Sequence, residues 1–139
     1  MYKKNCLLGF TLVELLVVIT IIGLLSASGF VAYGNLSQRN RNDRRRLDGQ
    51  SIRSALGLYF SNQSGGYYPL TLDELTTGNY IDGLPVDPST HDSATYENGY
   101  QPLPFGCDNT LAQGFCTSYQ LTISLEAGEP AYIIESGRI

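Results

Sequence analysis

Apolar residues are distributed very unevenly along this chain. From Phe10 to Leu36 it reads FTLVELLVVITIIGLLSASGFVAYGNL, in which Glu14 is the only charge. At 1.5 Å per residue, a helix from Leu15 to Leu36 covers roughly 33 Å, against a bilayer core of about 30 Å. No proline interrupts the stretch, and Ser26, Ser28, Gly29 and Gly34 are small enough for close helix contact. The pattern predicts a membrane-spanning helix. A cleavable secretory signal competes with it, taking Lys3 and Lys4 as its basic end and a small-residue site near Ala27. The apolar region exceeds the ~7–15 residues of such signals.

Helical spacing continues beyond the apolar stretch. Leu47, Ile52, Ala55, Leu56, Tyr59 and Phe60 recur on one face, which predicts a helix to about residue 61. Gly49 and Gly57 each cost such a helix about 1 kcal/mol relative to Ala. Ser64, Gly65 and Gly66 break it. Thr71 followed by Glu74 is a capping-box spacing, so a short helix is expected there, with Leu72 and Leu75 inward and Gly78 ending it. Leu84 to Pro104 is rich in Pro, Asp, Ser and Gly and reads as a long loop. Tyr119, Leu121, Ile123 and Leu125 alternate with Gln120, Thr122, Ser124 and Glu126, the period of a half-buried strand. A turn over Ala127 to Pro130 leads to a second strand, Ala131 to Glu135. Two strands alone are marginal, so a third is expected around Tyr96 to Tyr100.

Charge is as segregated as hydropathy. The 139 residues carry a net charge of -4, which hides three blocks. Lys3 and Lys4 precede the apolar stretch; Arg39, Arg41, Arg44, Arg45, Arg46 and Arg53 follow it; Ser54 to Gly137 contains ten acids and no Lys or Arg. An acidic head excludes ordinary DNA binding by that part, because phosphates repel it. The arginine run is open to three partners: lipid headgroups, acids of neighbouring subunits, or water. The single His91, with no Gly-rich phosphate loop and no nucleophile motif, leaves catalysis without support.

Lys3 and Lys4 favour a cytoplasmic N-terminus and the arginines oppose it, so charge alone does not orient the chain. Cys107 and Cys116, nine apart in a loop-like stretch, are a plausible disulfide, which places the head in an oxidising compartment. Free thiols are the alternative. A metal site is disfavoured because one His and two Cys do not complete a tetrahedron. Glu14 is the most expensive residue, costing at least ~2–3 kcal/mol deep in lipid. Cleavage between Gly9 and Phe10 would free an α-amino group that, on a neighbouring chain, neutralises it. Snorkelling to headgroups is the competing explanation.

The stretch GFTLVELLVVITIIGLLSA after a short basic leader resembles the processing signal of type IV pilins and type II secretion pseudopilins. The resemblance implies cleavage after Gly9 by a prepilin peptidase, methylation of the new N-terminus at Phe10, and a role for Glu14 in assembly through the Phe10 amine of an adjacent subunit. It implies an α+β, type IV pilin-like fold, with a long N-terminal helix packed against a small antiparallel sheet. On this reading 1–9 is a leader, 10–36 the transmembrane and filament-core helix, 37–61 its amphipathic continuation, and 62–139 the head. The chain departs from many members in having no mid-helix proline. The segment YYPLTLDELTTGNYIDGLPVDP and the strand YQLTISLEAG resemble the head of major pseudopilins more loosely. In some of these a loop after such a segment binds calcium, and Asp87, Asp92 and Glu97 offer oxygen ligands here. A solvated acidic loop is the commoner explanation, and no other cofactor is expected.

The resulting expectation is a structural subunit of a helical filament, either a type IV pilus or a type II secretion pseudopilus, and not an enzyme. Expected partners are copies of itself, the prepilin peptidase, an inner-membrane assembly platform, and lipid before assembly, with no nucleic acid for the head. The expected location is the inner membrane as a single-pass protein, then a surface or periplasmic filament. The alternatives are a monomeric membrane-anchored exported binding protein and a minor pilin of a DNA-uptake pilus.

Overall fold

The structure, a computed structural model, describes residues 10–137, apart from the side chains at 28–33 and 35. The expected leader, 1–9, lies outside the described residues. In chain order the elements are α1 (Leu12–Asn62), α2 (Asp73–Thr77), α3 (Ala94–Glu97), β1 (Tyr100–Leu103), β2 (Ser118–Ile123) and β3 (Tyr132–Glu135). The arrangement is α+β, consistent with a pilin-like fold. The chain divides between Ser37 and Gln38 into two compact units.

In the first unit the described apolar side chains are exposed. Phe10 and Leu12 are 80% exposed, and every Leu, Ile and Val from Val13 to Leu25 is exposed. Among the described residues no helix is long and apolar enough to cross a membrane. The uninterrupted run of described side chains in α1 ends at Ala27, so the span expected over Leu15–Leu36 falls partly outside them.

The second unit has a conventional core. From Gln38 onward α1 lays Ile52, Ala55, Leu56 and Tyr59 against the antiparallel sheet β1-β2-β3. β2 alternates as its sequence predicts, burying Tyr119, Leu121 and Ile123 and turning Gln120 and Thr122 outward. It ends one alternation earlier than expected, before Leu125. Three residues on, the main chain is bound to the helix instead: Glu126 N–H donates to Asn42 Oδ1 (2.8 Å) and Asn42 Nδ2 donates to Glu126 O (3.2 Å).

Three local expectations are corrected. Leu47 is not on the buried face but 63% exposed, while the polar Asn42, Arg45 and Asp48 are buried. The third strand begins at Tyr100, and Tyr96 sits in α3, where its hydroxyl donates to Asp48 Oδ2 of α1 (2.9 Å). Only half of the expected capping box forms at α2. Glu74 Oε1 accepts the N–H groups of Leu70 (2.8 Å) and Thr71 (3.3 Å), but the Thr71 hydroxyl caps nothing; Gly78 does end the helix, with Asn79 after it in the left-handed region (φ 57).

Gly49 lets the helix and sheet approach closely. A Cβ there would lie 2.6 Å from Ile123 Cδ1 and 2.9 Å from Ile134 Cδ1, both in the core, whereas one at Gly57 meets nothing within 4 Å. Overpacking costs about 1–3 kcal/mol and helix propensity returns about 1. Gly49→Ala is therefore expected to destabilise the second unit and Gly57→Ala to stabilise it by up to about 1 kcal/mol. Urea unfolding of the full chain in detergent checks the opposite signs.

Candidate functional site

The first unit begins with a complete capping box. Glu14 N–H donates to Thr11 Oγ1 (3.2 Å), and Thr11 N–H donates back to Glu14 Oε2 (3.4 Å). This reciprocal pattern satisfies two donors that the first helical turn leaves free, and the carboxylate faces the positive end of the helix. The T-x-x-E spacing was readable at Thr11 as plainly as at Thr71. Glu14 thus holds its own helix start while standing exposed among apolar side chains. Phe10 immediately precedes this turn; Gly9 lies outside the described residues.

The arginine run answers the question its sequence left open. Within the second unit Arg41, Arg44, Arg45 and Arg46 meet acids of the same chain. Arg45 donates twice to Asp87, Nε to Oδ2 (2.7 Å) and Nη2 to Oδ1 (3.0 Å), and Asp87 is completely buried. Asp87 Oδ1 also accepts the N–H groups of Ser89 (2.8 Å) and Thr90 (3.2 Å). Arg41 Nε donates to Glu126 Oε1 (2.9 Å), Arg45 reaches the same oxygen (3.1 Å), and Arg46 pairs with Glu129 (2.6 Å). Three arginines within about a turn and a half of α1, Arg41, Arg45 and Arg46, therefore hold two head segments, the loop at 87–90 and the turn at 126–129. We call this group the arginine clasp. Among the described residues no buried side-chain polar atom lacks a partner. The separation of an arginine block from a stretch, 54–137, with ten acids and no Lys or Arg was the available signal; which acid each arginine takes depends on loop conformation.

Arg45 holds the Asp87 carboxyl down to about 2, opposed by burial and aided by the Ser89 and Thr90 N–H groups. Arg41, with the Ser89 hydroxyl, holds Glu126 at about 2 as well. A depressed carboxylate stabilises the fold above its unfolded value and loses that contribution as pH falls through the folded one. For Asp87 this amounts to about 2 kcal/mol. The urea midpoint of the full chain is expected to be insensitive to the pair between pH 7 and 5 and to drop from pH 4 to 2. Asp87→Asn should flatten that drop.

The three oxygens considered for calcium are engaged separately. Asp87 is occupied by Arg45; Asp92 Oδ1 accepts from Thr90 Oγ1 (2.9 Å) and Ala94 N–H (3.2 Å); Glu97 accepts from the Ser93 hydroxyl. Among the described residues no three His, Cys, Asp or Glu gather where they could hold a metal. Cys107 and Cys116 are bridged, with Cα atoms 5.3 Å apart. Asn109 fastens the bridged loop, donating to Tyr68 O (2.9 Å) and accepting from Cys116 N–H (2.8 Å). Sequence patterning had no means of assigning Asn109 this role.

Residues 8–30 match the prokaryotic N-terminal methylation motif, the type IV pilin and pseudopilin signal. No curated protein matches the chain, and no solved structure does. The chain carries that signal on a helix that, among the described residues from Leu12 to Leu25, exposes its apolar side chains and a single charge, the capped Glu14.

Proposed function

We propose that this chain, which carries the type IV pilin and pseudopilin signal, is a structural subunit of an extracytoplasmic helical filament. On this reading prepilin peptidase cuts after Gly9, Phe10 becomes the methylated N-terminus, and the first unit leaves the membrane to pack among equivalent helices. The observation that carries the proposal is the uncovered apolar surface from Leu12 to Leu25, joined to the methylation motif and bearing one carboxylate. Burial of such a surface contributes about 25 cal/mol per Å², and a helix apolar on all sides finds cover only in lipid or in a bundle. Glu14 favours the bundle, because a permanent lipid anchor gains nothing from a charge at its fifth mature position. The clasp suits the head to this use, since it ties the acid-rich head to α1 at Arg41, Arg45 and Arg46.

A pilus and a secretion pseudopilus share every feature above. The test is to shear cells expressing the full chain and label the released material with antibody to the head. Labelled filaments are expected; label confined to the membrane would favour the monomeric anchored protein. Salt-dependent retention of DNA by the detergent-solubilised chain would favour the DNA-uptake minor pilin.

A further inference from the structure

Two exposed apolar sets in the second unit complement each other and do not meet within one chain. The first is at the bridged loop: Leu111, inside the bridge, is 95% exposed, and Phe105, two residues before Cys107, is 81% exposed. This loop is stiff: the disulfide closes it, Gly114 N–H donates to Thr110 O (2.9 Å), and Asn109 ties it to Tyr68 and Cys116. Displaying Leu111 on a fixed loop removes the ordering cost that binding would otherwise incur. The second set is on α1. Leu47 and Leu58 are 63% and 57% exposed, eleven residues apart, so they lie about 16 Å apart on one stripe. On the stripe between them stand the small exposed side chains Ser51 and Ser54, with the Ser54 hydroxyl turned back to Gln50 O (2.9 Å); the exposed Gln50 at the edge of the stripe is drawn aside by its hydrogen bond to the Tyr132 hydroxyl. The result is a shallow seat with an apolar wall at each end, on the helix face away from the sheet.

We propose that the Phe105–Leu111 loop of one copy docks on the Leu47–Leu58 seat of a neighbouring copy. The proposal rests on the filament reading and names the head contact that such a filament uses. Charge matches as well as shape. The loop carries Asp108 within a segment, 54–137, that has no Lys or Arg, while Arg39 is exposed about two turns before the seat and the Arg44 side chain, 67% exposed next to it, keeps outward-facing N–H groups beyond its pair with Asp48 (3.2 Å). The nearby acid, Asp43, is paired with Arg46 (3.2 Å). Val86 and Ile133 are exposed too, but each stands alone. A contact between two different surfaces of one chain is head-to-tail, and when its rotation does not close it propagates as an open helix.

The test places a photoreactive benzoylphenylalanine at position 111 of the full chain and illuminates sheared filaments. The expected product is a covalent dimer whose adduct maps to the α1 peptide spanning 44–58 of the second copy. Leu47→Asp with Leu58→Asp should lower its yield roughly tenfold or more. Both leucines are exposed, so these changes leave the core intact. Filaments that form normally but place the adduct elsewhere, or keep the same adduct yield in the double variant, overturn this contact and leave the filament reading standing. If the unaltered chain yields no sheared filaments, both fall together.

Discussion

Glu14→Gln is expected to abolish sheared filaments while leaving the chain inserted in the membrane and its helix capped. The amide keeps the capping geometry, because Gln serves at that position of a capping box as Glu does. What it removes is the charge. If Glu14 is neutralised in the filament by the Phe10 amine of the next subunit, losing the pair forfeits about 2–3 kcal/mol at each contact. That corresponds to about a 30- to 160-fold weaker association at every step. Repeated along a filament, such a loss leaves no recoverable assembly. Glu14→Ala loses both cap and charge, so the pair of variants separates the two roles. Assembly retained in Gln and lost in Ala would assign Glu14 to its capping box alone. Insertion should not suffer in either case, since a neutral side chain enters lipid more readily than a carboxylate. Quantitative blotting of sheared and membrane fractions reads both outcomes.

The second large effect is expected at the arginine clasp. Arg45→Ala should destabilise the second unit by about 3–5 kcal/mol, because it leaves the fully buried Asp87 carboxylate without its cation. That is a large share of the ~5–15 kcal/mol by which domains are stable. The double change Arg45→Met with Asp87→Leu removes both charges and should recover most of the loss, since a buried pair roughly balances its own desolvation. Arg46→Ala, whose pair with Glu129 is partly exposed, should cost no more than about 1 kcal/mol. Urea unfolding of the full-chain variants gives the ranking. Equal losses at Arg45 and Arg46 would mean that the buried pair carries no special weight.

Features with a short period or a sharp contrast were legible in the chain. The inward residues of β2 followed from strict alternation, and the apolar stretch with its one acid was plain. The segregation of arginines from acids was visible too, but its meaning depended on whether the acids that answer them lie in the same chain. Nothing local tells Arg45 that Asp87, forty-two residues on, will turn its carboxylate inward through the Ser89 and Thr90 N–H groups. Leu47 was misplaced for a related reason. The buried helix face includes Asn42, Arg45 and Asp48, which carry polar groups satisfied from the head, so a pattern drawn from apolar residues alone tilts toward the wrong side. The late start of β1 follows from Tyr96, whose hydroxyl is fixed to Asp48 in a helical turn; β propensity at that position yields to a tertiary hydrogen bond.

The central claim is that the chain is processed at Gly9 and then built into a filament. Intact-mass and peptide mass spectrometry of the protein in the sheared fraction test it most directly. The expected species is a chain beginning at Phe10 with one methyl group on its α-amine, enriched in that fraction. A chain that retains the first nine residues, or one that begins at Phe10 yet stays wholly with the membrane, would contradict it.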